Sequence, residues 1–124
     1  MSIIIKHGYR LIKCIDHPFA NSRGYVNEHR LVAEQYLLND NNSIVINNMK
    51  YLSPNFVVHH IDFNRLNNNP KNLIVMTISE HKTMHTKLYD KQYFLDYCSK
   101  FNLDSDIVRK TRADFKAGCY KKYM

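Results

Sequence analysis

Residues 56–85 read FVVHHIDFNRLNNNPKNLIVMTISEHKTMH, and this stretch decides the fold. Its β-branched start, ending at His60, predicts a strand, and the following loop is rich in turn-forming Asn. Residues 73–76 predict a second strand. Thr77 and Glu80 then fit a capping box, the pattern that opens a helix. The stretch therefore predicts a strand–loop–strand–helix (ββα) unit.

Four histidines of this unit are expected to converge on one small volume. His81 and His85 are four residues apart, so they share one helix face and can point toward the strand that carries His59 and His60. Adjacent strand residues face opposite sides, so one of that pair can bind a metal ion while the other stays free as a base. Such a combination is typical of a metal-assisted phosphodiesterase.

The same stretch resembles the HNH nuclease motif in the form common among phage and intron-associated homing endonucleases. Residues 7–37 resemble the segment that precedes the motif in those proteins, so the similarity covers about residues 7–87. The spacing is specific, with 12 residues from His60 to Asn72, 9 from Asn72 to His81 and 4 from His81 to His85. The resemblance therefore implies an α+β protein with a ββα-metal core.

The resemblance also implies roles for individual residues. His60 is the general base that activates water, and Asn72 braces the loop and orients that base. His59 and His81 are metal ligands, with His85 as a third ligand in some relatives and not in others. The implied cofactor is one divalent ion (Mg, Mn, Ni or Zn), and the implied substrate is double-stranded DNA.

Several polar residues near the motif have two interpretations. Asp62 and Asn64 are expected to hydrogen-bond the loop backbone, and Asn67 and Asn68 to form turns. Arg30 either reaches a substrate phosphate or forms a surface ion pair on its helix. Lys71 is a candidate phosphate contact.

Positive charge is concentrated at the end of the chain. The 124 residues include 18 Lys and Arg against 11 Asp and Glu, a net charge of +7, and the last 16 residues hold six of these cations and one Asp. The pattern predicts a basic helix over residues 106–117, after an N-cap at Asp104 or Ser105. The candidate DNA contacts are Arg109, Lys110, Arg112 and Lys116. The alternative is a solvated helix that only aids solubility.

The expected organisation is a single domain over residues 1–124. Strands and a helix over 28–38 occupy 1–55, the ββα motif 56–87, and a helical, basic extension 88–124. We predict a loop over 39–48, with a brief strand at residues 44–46 as the alternative. We also predict one long helix over 83–101, with a break near Asp90 as the alternative. Three widely spaced cysteines argue against a disulfide framework, and the absence of a signal or membrane segment predicts a cytoplasmic protein, in a host cell if phage-encoded.

The sequence leaves three functions open. The favoured one is a DNA endonuclease, acting as a monomer or a homodimer. A non-catalytic DNA-binding module with a degenerate HNH fold is the second. The third is a small interaction domain that a structural zinc ion stabilises.

Overall fold

The computed structural model describes residues 2–124, which form seven strands and four α-helices in an α+β arrangement. In chain order these elements are β1 (Ile3–Lys6), β2 (Tyr9–Lys13), β3 (Tyr25–Asn27), α1 (Glu28–Tyr36), β4 (Ser43–Ile46), β5 (Met49–Leu52), β6 (Phe56–His60), β7 (Leu73–Thr77), α2 (Ile78–Lys87), α3 (Lys91–Lys100) and α4 (Ser105–Lys116). Strands β1–β2–β3 form one antiparallel sheet, and β4–β5 and β6–β7 form two hairpins.

The predicted ββα unit is confirmed as β6, β7 and α2. The two strands pair antiparallel, with His59 opposite Ile74. At the start of α2 the Thr77 hydroxyl accepts a hydrogen bond from the Glu80 backbone N–H (3.1 Å), and the Glu80 carboxylate accepts one from the Thr77 N–H (2.9 Å). This capping box fixes where the helix begins, and so fixes the position of the histidines one turn later.

Helix α1 covers one side of the β6–β7 hairpin. Ala33 and Leu52, both fully buried, pack with Val58 of β6 and Leu73 of β7 in one hydrophobic cluster. The predicted helix over 28–38 is therefore present but ends at Tyr36. The strand β3 has only three residues, which is too short for a periodic pattern to reveal it.

The prediction of a loop over residues 39–48 is wrong, because most of this segment belongs to the β4–β5 hairpin. The alternative, a brief strand at residues 44–46, is present as part of β4. Asn47 and Asn48 form its two-residue turn with positive φ angles of 50° and 65°. Asn accepts this left-handed conformation better than most residues, and such turns match the twist of paired strands. The Asn-rich composition therefore marked a turn between strands.

Helices α3 and α4 build a second hydrophobic cluster on the loop of the ββα unit. Phe63 of that loop belongs to one buried cluster with Leu88, which directly follows α2, and with residues of α3 and α4: Phe94, Tyr97, Cys98 and Val108. The break near Asp90 is present, since the Asp90 carboxylate caps α3 by accepting from the Tyr93 N–H (2.9 Å).

Within residues 2–124, no helix has the length and apolar character that crossing a membrane requires.

The turn between β1 and β2 packs directly against α4. Gly8 in this turn has a φ of +80°, and a Cβ atom placed on it would lie 2.7 Å from Cδ1 of Phe115. Glycine is thus required twice here, by the left-handed backbone and by the close approach. The N-terminal hairpin and the terminal helix hold each other in place through this contact.

We predict that Gly8→Ala destabilises the protein more than Gly118→Ala does. Gly118 has nearly the same φ, +79°, but no atom lies within 4 Å of its added Cβ. Both variants bear a backbone penalty of about 1–2 kcal/mol, and Gly8→Ala adds an overpacking cost of about 1–3 kcal/mol. Urea unfolding measures the difference, and equal losses would contradict the packing of the hairpin on α4.

Candidate active site

Three imidazoles meet where β6 ends beside α2. The ring nitrogens of His59, His81 and His85 that could bind a metal ion lie within 4.8 Å of one another. Nε2 of His81 and Nε2 of His85 are only 2.9 Å apart. The structure therefore brings together the three residues that the sequence suggested as ligands.

All three rings favour the neutral state. Burial lowers the pKa of His59 to about 3, with the neighbouring His81 as the next cause. Burial also lowers the pKa of His85 to about 4 and that of His81 below its usual value. A neutral imidazole keeps the lone pair that a metal ion needs, so the donor set fits a divalent ion.

A tyrosine outside the motif fixes the protonation of His59. The Tyr97 hydroxyl donates its only proton to the Ile61 carbonyl (2.6 Å) and lies 2.8 Å from Nε2 of His59. Because that proton is used, the hydroxyl must accept from His59, whose Nε2 therefore carries the hydrogen. The Nδ1 atom of His59 is left with the free lone pair, as expected when the second ring nitrogen of a metal ligand has a hydrogen-bond acceptor.

His60 faces away from this cluster and has a separate hydrogen-bond chain. Its Nε2 lies 2.7 Å from Oδ1 of Asn68, and the Asn68 amide nitrogen donates to the Glu28 carboxylate (2.7 Å). A carboxylate only accepts, so the orientation of the Asn68 amide is fixed and its oxygen accepts from His60. His60 therefore carries its hydrogen on Nε2 and presents a free lone pair on Nδ1.

Burial also keeps His60 neutral. Desolvation lowers its pKa, although the Asn68 hydrogen bond and the nearby Asp62 act in the opposite direction. A neutral ring with an unprotonated nitrogen is the form in which histidine can accept a proton from water. The geometry thus separates a candidate base from the candidate ligands, although the two residues are adjacent in the chain.

The structure corrects how the base is oriented. Asn72 does brace the loop: its amide donates to the Asp62 carboxylate (2.9 Å) and the Asn67 carbonyl (2.9 Å), and its oxygen accepts from the Asp62 N–H (3.1 Å). The hydrogen bond to the His60 ring, however, comes from Asn68, which the sequence suggested only as a turn former. Glu28, at the start of α1, supports it from outside the loop.

Arg30 is engaged by the protein's own backbone. Its guanidinium donates to the carbonyls of Phe56 (2.7 Å) and Ser53 (3.0 Å), and burial lowers its pKa. These bonds tie α1 to the segment that enters β6. These backbone contacts take the place of the surface ion pair that was one of the two expectations for Arg30. Lys71 lies exposed on the short turn Pro70–Asn72.

Two cations of α4, Arg112 and Lys116, line a cavity that the four histidines of the ββα unit also border. This cavity, of about 320 Å³, is bordered by His59, His60, His81 and His85 and by Arg65, Arg112 and Lys116, with no carboxylate among its lining residues. Arg112 and Lys116, two of the candidate DNA contacts of the basic helix, therefore lie beside the histidines. Packing of α4 on the motif loop brings them there. Arg109 instead pairs with Asp106 (3.1 Å), and Lys110 is exposed.

Phe63 links the histidine cluster to α4. Its ring centroid lies 5.2 Å from that of His59 and 5.1 Å from the Arg112 guanidinium carbon. Its φ of 63° is unusual for an aromatic residue and is the kind of backbone strain that a packed surrounding must support. The second hydrophobic cluster provides that support.

The comparison with known families agrees with this geometry. Residues 50–83 match the family model described as HNH endonuclease. The match covers about a quarter of the chain, and we call it the HNH segment. The HNH segment contains His59, His60, Asn72 and His81, whereas the structure adds residues from outside it: Glu28, His85, Tyr97, Arg112 and Lys116. No curated protein and no solved structure gave a significant match to the chain.

Tyr97 carried no signal in the sequence. It lies 38 residues after His59 in the chain, on α3 and outside the ββα unit. Burial raises the pKa of its hydroxyl, so the proton given to Ile61 stays in place. A contact of this kind follows from the docking of α3 and could not be found from local spacing.

We predict that Tyr97→Phe removes the tautomer preference of His59. Long-range ¹H–¹⁵N spectra of the metal-free protein should show His59 protonated on Nε2 in the parent and mixed in the variant. The lost hydrogen bonds should also cost about 1–3 kcal/mol in urea unfolding. Tyr93→Phe, on the same helix, is the matched control. An unchanged His59 tautomer in Tyr97→Phe would contradict the assignment.

Proposed function

We propose that the protein is a metal-dependent DNA endonuclease in which His60 is the general base. In this proposal His59, His81 and His85 hold one divalent ion. The observation that carries it is the separation of the imidazoles into a cluster of three and a fourth ring with its own hydrogen-bond chain. The HNH segment supports a nuclease-type activity for this arrangement.

A bound divalent ion would supply Lewis-acid stabilisation of the charge that develops on phosphate oxygens. Three imidazoles are donors that Zn or Ni prefers, whereas Mg prefers oxygen ligands. We therefore expect Zn or Ni to bind more tightly than Mg, while Mn or Mg acts at higher concentration.

The residues of the chain perform the proton transfer. Nδ1 of His60 accepts a proton from water as the water oxygen attacks phosphorus and the bond to the leaving oxygen breaks. The imidazolium that results is stabilised through Asn68 by the Glu28 carboxylate. Arg112 and Lys116 border the same cavity and would offset the charge of the phosphate.

We predict that His60→Ala lowers the rate of DNA cleavage by about 10²- to 10⁴-fold, the contribution typical of a general base. Supercoiled plasmid incubated with Mg, Mn, Ni or Zn measures this as nicked and linear product. A single metal site cuts one strand at a time, so a monomer should give nicked product first. Zinc affinity should stay close to that of the parent, whereas loss of the buried ring and of its hydrogen bond to Asn68 should cost about 1–3 kcal/mol in urea unfolding, so cleavage is compared at a temperature where both proteins are folded.

Three outcomes would contradict the proposal. Undiminished cleavage by His60→Ala would remove His60 as the base. If the parent bound DNA but cut it with none of the four metals, the protein would be a DNA-binding module. If chelation unfolded the protein and no metal supported cleavage, the histidine cluster would be a structural zinc site.

The third ligand has a test of its own. His85→Ala should weaken zinc binding by at least about ten-fold in calorimetric titration, and so should His81→Ala. Losing a residue that hydrogen-bonds a metal ligand costs about 10- to 100-fold in metal affinity, and losing the ligand itself should cost no less. His7→Asn, which changes an exposed turn histidine, is the matched control. Parental affinity in His85→Ala would leave a site of two protein ligands.

A further inference from the structure

A second cleft lies next to the histidine cavity, on the side of α3. It has a volume of about 510 Å³, and its border includes Tyr89, Lys91, Phe94, Arg109, Arg112 and Lys116. Arg112 and Lys116 border both spaces, so the second cleft, which we call the Tyr89 cleft, adjoins the candidate active site.

The charge of the Tyr89 cleft suits a polyanion. Four cations border it, and no carboxylate does. Among these four cations, Arg109 pairs with Asp106 (3.1 Å), and this ion pair is exposed to solvent. An exposed pair of this kind contributes little and is readily exchanged for a phosphate. A nucleic acid with one phosphate in the histidine cavity would therefore have further cations of the Tyr89 cleft next to its neighbouring phosphates.

Tyr89 gives this cleft a second chemistry. Its side chain is 79% exposed and lies in the turn between α2 and α3. The guanidinium carbon of Arg112 lies 5.8 Å from its ring centroid. An exposed aromatic ring beside cations is the arrangement on which proteins stack the bases of single-stranded nucleic acid.

We propose that the Tyr89 cleft binds a nucleotide adjacent to the scissile phosphate, with its base stacked on Tyr89 and its phosphates on Lys91 and Arg109. The bases of a duplex are stacked on one another, so only an unstacked or single-stranded base can reach the ring. The position relative to the scissile phosphate rests on the proposed function. The cleft itself lies outside the HNH segment and gives the basic C-terminal helix a specific task.

The stacking contact is tested by binding in EDTA, where cleavage does not interfere. Fluorescence anisotropy with a labelled single-stranded oligonucleotide compares the parent with Tyr89→Ala, Tyr89→Phe and Tyr36→Ala. Tyr36, on α1, is 60% exposed and serves as the matched control. We expect Tyr89→Ala to weaken binding by at least about five-fold with little change in salt dependence, since base stacking is the interaction lost. Tyr89→Phe should retain parental affinity.

The phosphate contacts are tested separately by Lys91→Gln. Removing one phosphate contact should reduce the slope of log affinity against log salt by about 0.7 for single-stranded DNA. A 2-aminopurine base in the oligonucleotide gives a further signature. Its fluorescence should be quenched on binding to the parent and Tyr89→Phe, and less so on binding to Tyr89→Ala.

Parental affinity in Tyr89→Ala would overturn the proposal, as would an equal loss in Tyr89→Phe, since the phenylalanine ring still stacks. Failure of the nuclease function gives a different result. In that case no metal supports plasmid cleavage by the parent, while the dependence of binding on Tyr89 remains.

Discussion

The candidate site depends on the alternation of side chains at the end of β6. Two adjacent histidines are both buried there, His59 at 3% and His60 at 6% exposure, yet they contact different partners. The strand directs one ring toward α2 and the other toward α1. A helix or an irregular loop at this point would not separate them in this way. The division between ligand and base is thus a consequence of strand geometry.

In each of the two histidine rings, a residue outside the β6–β7 hairpin determines which ring nitrogen carries the hydrogen. Tyr97 of α3 accepts from His59, and Glu28 of α1 acts on His60 through Asn68. Buried polar groups of this kind are costly when a partner is lost, so the contacts also hold α1 and α3 against the ββα unit. Chemistry and stability therefore rest on the same hydrogen bonds.

The sequence was informative where the signal is local. The strand–loop–strand–helix order, the capping box of Thr77 and Glu80 and the shared face of His81 and His85 all follow from short-range periodicity, and the structure shows each of them. Contacts between distant segments were missed. Tyr97, the entry of Arg112 into the cavity and the use of Arg30 for backbone carbonyls depend on how the elements dock, which no spacing rule encodes. The β4–β5 hairpin was missed because its Asn turn resembles a loop in composition.

The central claim is that one metal ion binds to the cluster of three histidines and leaves His60 free. Anomalous diffraction at the zinc edge, from crystals of the full chain grown with one equivalent of zinc, tests it most directly. We expect a single strong peak within bonding distance of His59, His81 and His85, with His60 still hydrogen-bonded to Asn68. A peak bonded to His60, or none at the cluster, would contradict it.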